Sequence, residues 1–481
     1  MFYPIQLLQI ENQIMDFNKY FSSKKIYTII SELAAELECE VYVVGGFVRD
    51  LILEKDKKEV DFLIVGDGIN FAQKLADKLN IKTLSVYKNF GTAHFNYNNF
   101  DYEFVGARKE SYKKESRNPE VEAGSFQEDI ERRDFTINTL AVSLNANSFG
   151  KLIDTFDGVN DIINKVIKTP LDPIITFNDD PLRIMRAFRF ASQLEFEVDN
   201  SILLAAEQLA ERLKIISQER ITDEFLKILS SPRPSIGLKL LYYSKVMDVV
   251  FPEVASLGGV EQRQDHHHKD VFLHTCQVVD NISQNTDDVW LRFAALVHDI
   301  AKPATKKFVE GTGWTFHGHE ELGARMMKHI FNRMRMPLNK LEYIEKLIRL
   351  HLRPIALVDD DVTDSAIRRF VVTADEDLND LITLCRADIT SKNPNKVAKY
   401  LDNYNRVMNR VIEVQEKDKL RAFQSPVKGD EIMSICNLTP SKKVGEIKSA
   451  IEEAILEGEI GNNYEEAYQY LLKIKDKFLN T

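Results

Sequence analysis

Val41 to Asp61, VYVVGGFVRDLILEKDKKEVD, constrains the fold more than any other stretch of the chain. A β-branched run through Val41, Val43 and Val44 meets Gly45 and Gly46, and Phe47 to Ile52 resumes with helical character, which predicts strand, tight turn and helix. Two residues without Cβ let backbone N–H groups approach a ligand, and the helix N-terminus adds positive partial charge. Gly45 and Gly46 are therefore candidates for holding a triphosphate. The next stretch, Glu59 to Val65 (EVDFLIV), predicts a second strand with Glu59 and Asp61 on one face, because strand side chains alternate. Two carboxylates so placed can share Mg²⁺. A phosphate cradle followed by acid-x-acid is what nucleotidyl transfer needs. Alone, Gly-Gly is an ordinary turn and Glu-x-Asp an ordinary solvated charge; order and spacing raise the pair above either.

At 481 residues the chain exceeds one ordinary core, and about 150 residues per domain suggests about three domains. Hydrophobic content of 44% with 28% charged residues is that of a soluble globular protein, and nothing predicts a membrane span. The opening MFYPIQLLQIENQIMDFNKY mixes acids with apolar residues and has no basic leader, so no signal or transit peptide is expected. Cys39, Cys276, Cys385 and Cys436 are scattered without C-x-x-C spacing, which argues against a zinc ribbon or disulfide framework and for a reducing cytoplasmic location. A net charge of −11 disfavours nonspecific nucleic-acid binding, so such a function must use local basic patches. Candidates are Arg108-Lys109 with Lys113-Lys114 and Arg117, then Arg132-Arg133, and the row Arg183, Arg186, Arg189.

Along the chain, residues 1–40 read as helical, Ile69 to Leu79 as a helix, and Leu84 to Phe95 and Phe100 to Val105 as strands. Glu103, set between Tyr102 and Phe104, is either an edge charge or the third acid of a two-metal site. Residues 107–130 are polar and predict a mobile loop, either ordinary surface or a substrate-handling flap. In Glu131 to Ala141 four charged residues precede an apolar stretch read as a helix. Arg132 and Arg133 could hold phosphate or ribose there, and Asp134 could accept from a ribose hydroxyl. From about Thr176 the composition is helical, and Asp179 to Ala191 predicts an amphipathic helix with an acidic N-cap and Pro181 in its first turn. Asp180 and Arg183 are three apart and can share a helix face, as a surface pair or as an acceptor and a donor. The latter matches the amino donor and ring-nitrogen acceptor common to cytosine and adenine.

Seven of the ten histidines lie between His266 and His319, with His329 and His351 following. His274, the adjacent His298-Asp299 and the later Asp388 supply N and O ligands suited to a second divalent metal, with His319 and His351 as further ligands. The domain boundaries expected are 1–168, 169–256, 257–394 and 395–481.

In this order, VVGGFVRD, EVDFLIVG, RRDFTINTLA, DTFDGVNDI and DDPLRIMRAFRFA resemble the bacterial CCA-adding tRNA nucleotidyltransferases and poly(A) polymerases of class II, in the form with an HD domain. FLHT, LVHDIAKP and Asp388 resemble the HD superfamily, and GDEIMSICNLTPSKKVGEI is a looser match. The resemblance implies an α+β head with a mixed sheet, an all-α neck, an HD-type body and a helical tail. It implies that Gly45, Gly46 and Arg49 hold the triphosphate and that Asp61 with Glu59 binds Mg²⁺. Arg132, Arg133 and Asp134 would handle ribose and phosphates, and Asp180 with Arg183 would select the base of CTP or ATP. The implied partner is tRNA, receiving CCA at its 3′ end. A-adding, CC-adding and poly(A)-synthesising enzymes share the head, and an HD-type phosphohydrolase with a degenerate head is the rival from another class. The family usually has Asp-x-Asp where this chain has Glu59-x-Asp61.

Overall fold

The valine-rich and acid-bearing runs lie side by side as antiparallel strands, β1 (Glu40–Val44) and β2 (Glu59–Val65), with Val44 opposite Asp61. Between them Gly45 takes a φ of +74°, which L side chains rarely adopt, and this turns the chain directly into the helix Gly46–Ile52. The computed structural model describes residues 16–88, 91–111, 120–260, 270–359, 361–422, 425–456 and 459–479. The remaining head strands are β3 (Ser85–Tyr87), β4 (Thr92–Tyr97), β5 (Phe100–Gly106), β6 (Arg108–Ser111), β7 (Glu120–Ala123), β8 (Ala141–Ser143) and β9 (Leu152–Ile153). Seven of them form one sheet in the order β3-β4-β5-β2-β1-β8-β9, while β6 and β7 pair as a separate hairpin. Only the β2–β5 pair of that sheet is parallel, and its register sets Asp61 against Glu103.

Period-two alternation sorts β2 into two faces. Phe62 stacks on Phe104 with ring centroids 4.7 Å apart, and Tyr27 and Phe71 cover this face from the helices Lys25–Glu36 and Gly68–Lys78. Asp61 and Leu63 take the opposite parity, and Leu63 joins Tyr42, Val44, Ala107, Ile130 and Ala141 in an apolar cluster. One face of the sheet is thus closed by helices, and the other carries acids at the rim of a cluster.

Three expectations change here. The strand read over Leu84 to Phe95 is two antiparallel strands, β3 and β4. The apolar stretch after Arg133 is not a helix: Thr136–Asn138 makes a single 3₁₀ turn and Ala141–Ser143 becomes β8 against β1. A short apolar run reads equally well as buried strand or helix, and pairing with β1 decides it. The loop read over 107–130 is ordered at its described ends, where β6 pairs with β7 and Ser125 and Glu128 form a capping box on the helix Phe126–Glu131. Lys113, Lys114 and Arg117 lie outside the described residues.

Beyond the head, Val166–Ile167 pairs in parallel with Glu197–Val198, tying the end of the head to the neck helices Pro173–Asp179, Leu182–Leu194, Asn200–Leu209, Gln218–Leu229 and Pro234–Tyr243. The helices Val271–Ser283, Val289–Val297, His319–Arg333, Leu341–Leu350 and Leu378–Ala387 follow. The fold class is therefore an α+β head with a mixed sheet followed by helical regions. By contact the chain separates into two compact units, 1–351 with 379–392, and 352–378 with 393–481. The second unit has its own core of Val427, Ile432, Cys436, Ile447, Ile451, Ala467 and Leu471. Among the described residues no helix is long and apolar enough to cross a membrane.

Candidate functional site

A cavity of about 640 Å³ opens on the acid-bearing face of the head sheet. Asp61, Leu63, Glu103 and Val105 line it from the sheet, Asp129, Arg132, Arg133 and Asp134 from the segment before β8, and Asp180, Arg183, Arg186 and Arg220 from the neck. Among the described residues neither Asp61 nor Glu103 makes a side-chain hydrogen bond. Burial pushes the Asp61 carboxyl above its usual range against the charges of Lys57 and Arg133, and Glu59 adds to the rise. Burial also raises Glu103, with Asp61 beside it the next cause. Two adjacent carboxylates that repel one another and lack donors have the chemistry of a divalent-cation site. Glu59 stands apart from them: it is exposed, and its carboxylate meets Lys57 at 3.5 Å.

Gly45 lies at the edge of this site, where a Cβ would come 3.1 Å from Arg133 Nη1 and 3.7 Å from Asp61 Oδ2. Its own N–H donates to Leu140 O, so the donors left for a phosphate are those of the helix opened by Gly46. Arg49 does not reach outward. It is buried, donates from Nε and Nη2 to Asp50 at 2.8 and 2.9 Å, and donates from Nη1 to Asn138 at 2.8 Å. Its guanidinium also lies 5.1 Å from the Phe190 ring, which Arg186 and Arg189 approach at 5.5 and 4.3 Å, so one neck aromatic gathers three arginines.

The arginine pair is anchored by a residue the sequence reading passed over. Buried Asp129 accepts from Arg132 Nε at 3.0 Å and from Arg133 Nη2 at 3.2 Å. The signal was present as i,i+3 and i,i+4 spacing. Asp134 departs from its expected role. Its Oδ1 accepts from Phe135 N and Asn138 Nδ2, both at 2.9 Å, and its Oδ2 from Arg186 Nε at 2.8 Å and from Arg186 Nη2. A carboxylate has about four acceptor positions and all are taken, leaving none for a ribose hydroxyl. Burial would favour the neutral acid, but Arg186, Asn138 and Arg183 outweigh it and hold Asp134 down at about 2.

A depressed folded-state value stabilises the protein above the unfolded value and is lost as pH falls through the folded one. Asp134 therefore contributes about 2 kcal/mol that disappears between about pH 4 and pH 2. Urea unfolding of wild type and Asp134→Asn across that range checks this: the variant starts less stable near neutrality, and the gap between the two narrows with acid.

Asp180 and Arg183 do not form a helix-surface pair. Asp180 precedes the helix, its Oδ1 accepting from Leu182 N at 3.1 Å and its Oδ2 lying 3.5 Å from Arg220. Arg183 is buried and donates from Nη2 to Arg132 O at 2.6 Å and from Nη1 to Thr176 O at 3.4 Å. Both still line the cavity that holds Asp61 and Glu103. Arg220 and Glu224, the latter 2.8 Å from Arg189, come from the helix Gln218–Leu229 and were not anticipated; nothing local marks them.

A second cluster joins His274, His298 and Asp388 with Asp299, His319 and His351. Asp299 faces both halves: Oδ2 lies 3.1 Å from His298 Nε2 and 3.6 Å from His274 Nε2, while Oδ1 lies 3.3 Å from His319 Nε2. Asp388 Oδ1 completes the first half at 2.9 Å from His274 Nε2. The Nδ1 atoms of His298, His319 and His351 face the carbonyls of Ala295, Phe316 and Ile348 at 2.8, 2.7 and 2.6 Å. Nδ1–H donation to a carbonyl leaves an Nε2 lone pair facing inward, the tautomer a metal ligand needs. The Nε2 atoms of His319 and His351 stand 3.4 Å apart, and buried His298 Nε2 faces the carboxylates of Asp299 and Asp388 at 3.1 and 3.5 Å. These observations fit a divalent cation. His298→Ala and Asp299→Ala are each expected to lower bound metal by at least about tenfold in elemental analysis, with folding checked by circular dichroism.

Residues 41–168 match the poly A polymerase head domain, 195–257 the probable RNA and SrmB-binding site of polymerase A, and 266–393 the HD domain. An A-adding tRNA nucleotidyltransferase from Deinococcus radiodurans is 31% identical over 71% of this chain and 78% of its own length. The chain belongs to the tRNA nucleotidyltransferase family. A multifunctional CCA protein from Shewanella frigidimarina is 32% identical over 62% of this tRNA nucleotidyltransferase and 70% of its own length. A solved tRNA nucleotidyltransferase complexed with a primer tRNA and an incoming ATP analog shares the fold, with a TM-score of 0.57 and 24% identity over 79% of this chain and 99% of that one.

Proposed function

We propose that this tRNA nucleotidyltransferase adds C, C and A, without a template, to tRNA 3′ ends from CTP and ATP, releasing pyrophosphate. The observation that carries this reading is that Asp180 and Arg183 line the same cavity as Asp61 and Glu103, so one nucleotide can meet base readers and acids together. The tRNA 3′ hydroxyl attacks the α-phosphate of the bound nucleotide. Asp61 and Glu103, with Glu59 at the rim, would hold Mg²⁺, which when bound would supply charge that activates the hydroxyl and offsets charge on the leaving pyrophosphate. The remaining work is positioning. Arg132 and Arg133, set by Asp129, face the phosphates and sugar. Asp134 acts through Arg186, and Arg49 acts through Asn138 and Phe190, as positioning residues. The cysteines are free, and three of the four are buried, which suits a cytoplasmic enzyme.

An A-only reading is favoured by the A-adding names of relatives such as the Deinococcus enzyme, and the same base-reading pair serves adenine. The two readings separate in one assay. Transcripts lacking three, two or one of the terminal residues are incubated with CTP, ATP or both, and product lengths are read. Extension of the shortest transcript by three residues supports the full CCA reading. Extension of only the transcript that already ends in CC replaces it with A addition.

A further inference from the structure

We propose that Lys57 is the cation that grips the triphosphate of the incoming nucleotide; the inference rests on reading the head as a nucleotidyl-transfer site. Lys57 belongs to the turn between the helix Gly46–Ile52 and β2, in which Glu54, Lys55, Asp56, Lys58 and Glu59 are all exposed. Lys57 alone folds inward, its side chain only 30% exposed, and its Nζ lies 3.1 Å from where a Cβ on Gly46 would stand. A side chain at Gly46 would crowd the end of the lysine. The ammonium thus sits against the Gly45-Gly46 turn, which borders the cavity through Asp61 and Arg133.

Most other cations around the site have closer partners: Arg49 is held by Asp50 and Asn138, Arg186 by Asp134 and Arg183 by backbone carbonyls, Arg132 and Arg133 lean on Asp129, and Arg220 lies 3.5 Å from Asp180. Lys57 instead meets Glu59 at 3.5 Å, and that carboxylate is 70% exposed. Such a long, wet ion pair is weak, and a polyanion carrying several charges displaces it readily. Glu59 is then the counter-ion that keeps Lys57 turned inward in the free enzyme.

The test compares wild type, Lys57→Ala and Lys57→Arg. Binding of inorganic tripolyphosphate with Mg²⁺ is measured by calorimetry, beside KM and kcat for CTP and ATP and inhibition by CMP. Loss of one charge-assisted contact predicts roughly tenfold to a hundredfold weaker tripolyphosphate binding in Lys57→Ala and a matching rise in KM for both nucleotides. CMP, which lacks the β- and γ-phosphates, inhibits both proteins equally, and Lys57→Arg recovers most of the binding. Equal tripolyphosphate binding by wild type and Lys57→Ala overturns the assignment, as does no binding by wild type. Failure of wild type to extend any tRNA overturns the functional reading separately, because the calorimetric comparison needs no turnover.

Discussion

Asp61→Asn is expected to abolish nucleotide addition, with a fall in kcat of at least roughly a hundredfold to a thousandfold, while leaving the thermal unfolding midpoint at or above that of wild type. The two outcomes belong together because the residue is shaped by function at the expense of stability. Burial disfavours the charge of Asp61 more than Lys57 and Arg133 favour it, Glu59 adds to the rise, Asp61 in turn raises Glu103 opposite it in register, and among the described residues neither carboxylate has a hydrogen-bond donor. Asparagine keeps the shape and removes the repulsion, so the sheet has no reason to loosen. It also removes one of the carboxylates that would hold Mg²⁺. Single-turnover extension of a CC-ended tRNA, with saturating ATP and a titration of Mg²⁺, reads the effect. Near wild-type incorporation at ordinary Mg²⁺ would show that the metal site lies elsewhere.

The second large effect is expected at Arg183, in selectivity rather than in rate. If Asp180 accepts and Arg183 donates at the Watson–Crick edge, cytosine and adenine satisfy both, whereas uracil and guanine set donor against donor and acceptor against acceptor. An unpaired buried polar group costs about 1–3 kcal/mol, so each contact discriminates by roughly fivefold to 150-fold. Arg183→Ala should weaken use of CTP and ATP and admit UTP and GTP. Arg183 also holds Arg132 O at 2.6 Å, so truncation slackens the backbone beside Arg133 and lowers overall rate. The ratio of incorporated nucleotides separates the two consequences, because slackened backbone lowers all four rates together. Competition among four nucleotides on a tRNA lacking its CCA end decides it: an unchanged ratio would leave Arg183 a purely structural clamp between neck and head.

Local pattern was enough for β1, the Gly45 turn, the helix after it and β2, because each follows from alternation or from a conformation that glycine alone adopts cheaply. The acids Asp61 and Glu103 could be named from the same pattern, since both stand at outward parity beside buried aromatics. Their adjacency could not be read locally, because it requires β5 to pair in parallel with β2 across a long crossover. The histidine-and-aspartate centre was likewise legible in residue type, and its sharing of Asp299 between two halves was not.

What the sequence by itself determined is the menu: a phosphate turn, acids on one strand face, arginines before an apolar run, and His-Asp ligands on helices. Only the tertiary structure decided which charges are committed to each other. Arg49 and Asp134 were expected to face a nucleotide and instead hold Asp50 and Arg186, Arg183 lines the cavity while also holding backbone carbonyls, and the ammonium of Lys57, from an otherwise exposed turn, lies against Gly46. The reason is physical. A buried ion must be neutralised or hydrogen-bonded by whatever the fold brings within about 3 Å, and those partners come from elements far apart in sequence, so no local spacing reports them.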